Sequence, residues 1–148
     1  MGNNMRKEMF DHEINILRDT YQRLLRRNAK INLIKLTSKT HPADLAVVFR
    51  HFSDEEQIEI FSLMKESEHT AEFLSELDDA LVNELLEHES YERIAAIIEK
   101  ASTNDQSGIL NILDAKKAKS IIELLNDDEQ EEIAEIMGYP EDSAGSLM

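Results

Sequence analysis

Residues 53–137 read SDEEQIEIFSLMKESEHTAEFLSELDDALVNELLEHESYERIAAIIEKASTNDQSGILNILDAKKAKSIIELLNDDEQEEIAEIM, and this stretch decides the fold. A helix-start residue recurs through it about once every dozen positions: Ser53, Ser67, Asp78, Ser90, Thr103, Asp114 and Asn126. The successive spacings of 14, 11, 12, 13, 11 and 12 each allow two to three helical turns and a tight connection. One such helix is too short to persist alone in water. Pairs of them, repeating at about 24 to 25 residues, predict an all-α, superhelical array of short stacked helices in which each unit buries its apolar stripe on its neighbours.

The composition agrees. Of 148 residues, 41% are hydrophobic and 32% charged, ordinary for one domain with a modest core. Trp and Cys are absent, and Gly and Pro total six, so the core is aliphatic and the backbone has few breakers. Without cysteine there is no disulfide framework and no thiolate metal or redox site. No apolar run approaches the roughly 20 residues that cross a bilayer, and no leader resembles a signal peptide. These features predict a cytoplasmic domain.

Charge is unevenly placed. Residues 1–40 carry nine Lys or Arg against four Asp or Glu, whereas residues 41–148 carry a net charge of −20. A body this acidic repels phosphate backbones, which argues against nucleic acid and for cations or basic surfaces as partners.

Working outward, residues 1–40 form a basic helical leader of one long amphipathic helix or two. Met9, Phe10, Ile14, Leu17, Tyr21, Leu24 and Leu25 make its inward stripe, and Arg18, Arg23, Arg26 and Arg27 complement the helix C-terminus. Asn28 helps to end the helix, and Ile31, Leu33, Ile34 and Leu36 form a second apolar group. The acidic helical-repeat domain spans residues 41–138 and begins with Pro42 in a first turn. Its stripes are Leu45, Val48, Phe49 and Phe52; then Ile58, Phe61 and Met64 behind the capping box Ser53–Glu56. Ser67 or Thr70 opens the helix of Phe73, Leu74 and Leu77. Then follow Leu81, Val82, Leu85 and Leu86; Tyr91, Ile94, Ile97 and Ile98; a weak helix over 103–113 containing Gly108; and Ala118, Ile121, Ile122 and Leu125. A second capping box over Asn126–Glu129 starts a helix that carries Ile133, Ile136 and Met137 and stops at Gly138. Residues 139–148, rich in Ser, Gly and Pro but ending on Leu147 and Met148, read as a connector that leads to a further domain.

No P-loop, dinucleotide glycine fingerprint, His-Glu-x-x-His or nucleophile elbow occurs, so an enzyme is not expected. His12, His41, His51, His69 and His88 are scattered rather than spaced as metal ligands. Carboxylates in this number can instead hold a hard divalent cation, since magnesium accepts one or two carboxylates from each of two surfaces and keeps several waters. Such ions would relieve repulsion between acidic faces and make their docking ion-controlled.

His41-Pro-Ala-Asp-Leu-Ala46, the short acidic helices, and Tyr139-Pro-Glu-Asp-Ser-Ala-Gly-Ser-Leu-Met148 together resemble the cytosolic N-terminal domain of the MgtE family of magnesium transporters, over about residues 41–148. The resemblance implies a regulatory domain that precedes a pair of CBS domains and a membrane pore in a homodimeric full-length protein. It implies weak Mg2+ bound between this domain and the CBS domains of the same chain, closing the pore when magnesium is plentiful. Residues 139–148 would then be a connector toward a CBS domain, the membrane would be met only through a transmembrane region outside this chain, and the full-length protein would sit in the cell membrane. Carried across residue by residue, the family's metal positions fall on Glu72, Asn104 and Asp105, with an amide in place of one carboxylate and Gly108 where a further aspartate is expected. The alternative is a stand-alone protein-interaction module, since the repeat architecture also resembles the middle domain of the flagellar motor switch protein.

Overall fold

The computed structural model describes residues 2–125, with side chains from Phe10 to Leu125. The described residues are all-helical: a long α1 (Gly2–Arg26), then α2 (Lys30–Lys39), α3 (Pro42–Phe49), α4 (Asp54–Ser62), α5 (Glu68–Ser75), α6 (Asp79–Glu87), α7 (Tyr91–Lys100), α8 (Thr103–Ile112) and α9 (Ala115–Ile122). This matches the expected class, a longer N-terminal helix followed by short packed ones. The capping box at Asn126, the helix of Ile133, Ile136 and Met137, the stop at Gly138 and the 139–148 connector lie outside the described residues. The chain divides by contacts into two compact units that meet in sequence at Met64 and Lys65.

In the first unit α1 packs on α2 and α3. The helix ends where Asn28 takes a left-handed backbone, φ 54°. The Ala29 N–H donates to Leu24 O at 3.0 Å and the Asn28 N–H to Leu25 O at 3.1 Å, a Schellman closure that reverses the chain into α2. Tyr21 is fully buried and anchors the unit. Its hydroxyl lies 3.2 Å from Thr37 Oγ1 and 3.1 Å from Thr40 Oγ1, and its ring meets Phe52 at 5.7 Å between centroids. Burial pushes its phenol pKa up, partly opposed by those two hydroxyls. Ile14 joins Tyr21 in the core, but Phe10, predicted to face inward, is 42% exposed. Ile31 is likewise exposed, and Leu33 carries the inward face of α2. His41 caps α3 by accepting the Ala43 N–H on Nδ1, with Pro42 in the first turn. The Ser53 capping box is present in full: Ser53 Oγ accepts from the Glu56 N–H at 3.2 Å, and Glu56 Oε1 accepts from the Ser53 N–H at 2.8 Å. The inward stripe of α4 is Gln57, Ile60, Phe61 and Met64 rather than one running through Ile58, which is only half-buried. A polar Gln on the buried face shifts the stripe by one position.

In the second unit the helices alternate between two layers, with α5 on α7 and α7 on α9 in one and α6 on α8 in the other. The layers meet where α8 packs on α5 and α7. Ser67, Asp78, Ser90 and Asp114 cap their helices as predicted, each accepting the N–H three residues on. The cap of α8 is Ser102, which accepts the Asp105 N–H at 3.3 Å, whereas the expected Thr103 is the first helical residue. Serine is the better cap because threonine's extra methyl restricts the rotamer. Ile94, Ala95, Ile97 and Ile98 fill the core from α7, while Tyr91, assigned to that stripe, is 42% exposed with Lys117 Nζ 5.7 Å from its ring centre.

The two units share an internal repeat. Residues 41–64 and 90–113 align without a gap at an offset of 49, twice the expected unit. Eight buried positions coincide: Leu45 with Ile94, Ala46 with Ala95, Val48 with Ile97, Phe49 with Ile98, Gln57 with Gln106, Ile60 with Ile109, Phe61 with Leu110 and Met64 with Leu113; buried Pro42 and Phe52 instead match exposed Tyr91 and half-buried Ala101. In both copies the glutamine reaches back eight residues. Gln57 Nε2 donates to Phe49 O at 2.9 Å, and Gln106 Nε2 donates to Ile98 O at 2.8 Å. Each of these last-turn carbonyls also accepts a backbone N–H three residues on, from Phe52 at 3.1 Å and Ala101 at 3.0 Å, so the glutamine adds a second bond that ties one helix end to the start of the next.

Candidate functional site

The three candidate ligands fall on two packed helices of the second unit. Glu72 lies in the middle of α5, exposed, while Asn104 and Asp105 occupy the second and third positions of α8, exposed and half-buried respectively. α5 and α8 are direct neighbours. Among the described residues, no group of three or more His, Asp or Glu side chains gathers tightly enough to hold a metal by itself. What these residues offer is a set of hard oxygen donors, two carboxylates and one amide, which suits a cation that takes part of its shell from water or from a second surface.

The backbone explains why Asp105 is available. At the matching position of the first repeat, Glu56 spends its carboxylate closing the capping box on the Ser53 N–H. Aspartate is one methylene shorter, and Asp105 makes no such return bond; α8 is closed by Ser102 alone. Its charge still favours the first turn, through the helix dipole.

Sequence patterning gave no hint of Gln106, the next residue, because a polar side chain on a buried face reads as a break in the stripe. The signal that finds it is the Ser-x-x-x-Gln spacing at Ser53–Gln57 and again at Ser102–Gln106. Gln106 is 4% exposed, and its Oε1 is buried with no hydrogen-bond partner, so it braces the α7–α8 junction from inside rather than adding an exposed donor.

Electrostatics set the rest. Residues 65–125 hold fourteen Asp or Glu and six Lys or Arg, a net −8. Arg93, drawn into the structure at 13% side-chain exposure, bridges Glu66 at 3.2 Å and Glu89 at 2.9 Å. Lys117 is also turned inward, donating to Leu86 O at 3.3 Å. With those cations committed to internal contacts, Glu68, Glu72, Glu76, Asp79, Glu84, Glu87, Glu92 and Glu99 remain exposed and without an ion pair among the described residues. The basic cluster of the leader is real as exposure: Arg23, Arg26 and Arg27 are all exposed, while Arg18 pairs with its neighbour Asp19 at 3.3 Å. Among the described residues, no helix is long and apolar enough to cross a membrane.

Fold and charge together define an acidic domain of Ser- and Asp-capped helices stacked in layers. The family model for the MgtE intracellular N domain matches residues 40–142, and the chain belongs to that family. A crystal structure described as the soluble part of a magnesium transporter shares the fold, with a TM-score of 0.73 at 15% sequence identity over 91% of this chain. The chain spans about half of that structure, 53% of its length. A search of curated proteins finds no match. The family is a non-enzymatic one.

Proposed function

We propose that this domain senses intracellular Mg2+ for a magnesium transporter, docking through bridging ions on the CBS domains of the same full-length protein and so controlling its pore. In this reading Glu72 and Asp105 supply carboxylates, and Asn104 an amide oxygen, to weakly held Mg2+ whose remaining ligands come from water and from the opposing module. The observation that carries it is the net anionic charge of −8 over residues 65–125, where Arg93 and Lys117 face inward and only lysines lie among the exposed cations. Two acidic surfaces repel until divalent ions lie between them, so docking would follow the free ion concentration. At low magnesium the surfaces separate and the pore opens. At high magnesium the compact state is favoured by differential binding alone, about 2.7 kcal/mol when free ion reaches a hundred times its dissociation constant.

The test is limited proteolysis of the full-length protein across a magnesium titration at constant ionic strength. Glu72→Ala with Asp105→Ala should leave the helical circular dichroism unchanged. It should also move protection to at least tenfold higher magnesium. An unchanged midpoint would remove both residues from the site.

A further inference from the structure

Along α1 the first unit carries a groove of about 330 Å3 whose walls include Phe10, Ile16, Leu17 and Leu36, rimmed by the carboxylates of Glu13 and Asp44. Phe10 is 42% exposed and Ile16 53%. Such apolar area beside an uncovered groove suits a partner helix. Glu13 and Asp44 make no ion pair among the described residues. At the other end of the same helix Arg23, Arg26 and Arg27 are exposed and make no ion pair among the described residues, and the start of α2 presents Ile31, 70% exposed.

We propose that a second copy of this chain fills the groove, α1 lying antiparallel on α1. Glu13, Leu17, Thr20, Leu24 and Arg27 recur at spacings of four, three, four and three, and so share one face of the helix. A two-fold axis passing near Thr20 is the register that satisfies both chemistry and symmetry. It sets Glu13, with Asp44 beside it, against Arg27 of the other copy, and Ile16 against Leu24. It also brings the Phe10 end of one helix to the Ile31 end of the other. Because the contact is isologous, each of these pairings occurs twice. A parallel arrangement would instead align the acidic segments with each other and the arginines with each other. The contact runs from Phe10 to Arg27, about 27 Å of helix at 1.5 Å per residue, which places it at the small end of specific interfaces. The dimer is therefore weak, filling between about 10 μM and 1 mM protein, and weaker in salt because its ion pairs are exposed. It uses residues of the first unit, none of them invoked for magnesium, and it stands whether or not that reading does.

Sedimentation equilibrium of the 148-residue chain tests it. The unsubstituted chain should show a concentration-dependent dimer that loosens in 0.5 M salt. Glu13→Arg alone and Arg27→Glu alone each turn two attractions into two repulsions, and each should weaken the dimer about tenfold or more without changing the helical spectrum. An equimolar mixture of the two single variants should restore association, because every facing pair is then opposite in sign. A chain that stays monomeric through 1 mM would overturn the proposal. So would a dimer indifferent to both substitutions, or variants that fail to rescue each other on mixing.

Discussion

The α3–α4 and α7–α8 hairpins are two versions of one segment, 49 positions apart, and they differ in instructive places. Both keep a serine cap and, four residues on, a buried glutamine that pairs a last-turn carbonyl of the preceding helix. The filling between them is not kept. Where the first hairpin packs Phe49, Phe52 and Phe61, the second packs Ile98, Ala101 and Leu110. A core of similar pattern but different volume is tolerated when the whole cluster changes together. Among the positions that stay fixed, Ser53 and Ser102 with Gln57 and Gln106 make the directional bonds at the helix junction, while Ala46 and Ala95 with Ile60 and Ile109 are the unchanged parts of the core. The second difference concerns charge: a glutamate that completes its own helix start becomes Asp105, whose carboxylate makes no such return bond.

The sharpest way to break this comparison is through the volumes. Phe49→Ala should cost about 3–5 kcal/mol and Ile98→Ala about 2–5 kcal/mol, read by urea unfolding, because both side chains are fully buried. Equal losses at the two sites would mean that the aromatic cluster of the first hairpin adds nothing beyond its pattern. The glutamines come next. Gln57→Ala removes the side-chain donor to the Phe49 carbonyl, which keeps the Phe52 N–H at 3.1 Å, and should cost about 0.5–1.5 kcal/mol. Gln106→Ala should cost less in the same assay, since it also removes Oε1, a buried acceptor that has no partner. A larger loss at Gln106 would show that this oxygen is satisfied in solution. The smallest effect has the opposite sign. Gly108 sits inside α8, and a Cβ added there meets nothing within 4 Å, so Gly108→Ala should stabilise by about 0.5–1 kcal/mol. A destabilising result in thermal melts would reveal a close approach at that face.

Much of the fold is legible in the sequence because its helices begin with chemistry that leaves a mark. Ser53, Ser67, Asp78, Ser90 and Asp114 each accept the backbone bond that their residue type predicts, and Asn28 takes the left-handed turn that ends α1. The misplacements share one cause. Hydropathy alone points Ile58, Tyr91 and Phe10 inward, yet a stripe three or four residues wide has ambiguous edges, and Gln57 holds the buried position next to Ile58 through a hydrogen bond that hydropathy does not register. The serine cap at Ser102 lies one residue before the predicted one because two hydroxyl residues stand side by side. The candidate site is legible only through the family resemblance, which supplies the positions of Glu72, Asn104 and Asp105. Glu72, Asn104 and Asp105 come onto neighbouring helices through the packing of α5 on α8, and a ligand set shared between surfaces leaves no closed pattern in either sequence.

The glutamine bridges carry one more consequence. A side-chain amide has a fixed reach, so the short turn it spans, from Arg50 to Ser53 in one copy and from Ala101 to Ser102 in the other, acts as a gauge: neither connection can lengthen without letting go of the carbonyl. Drift in chain length is thereby steered to joints that lack this bolt, and the hinge angle of each elbow can outlast wholesale replacement of the side chains around it.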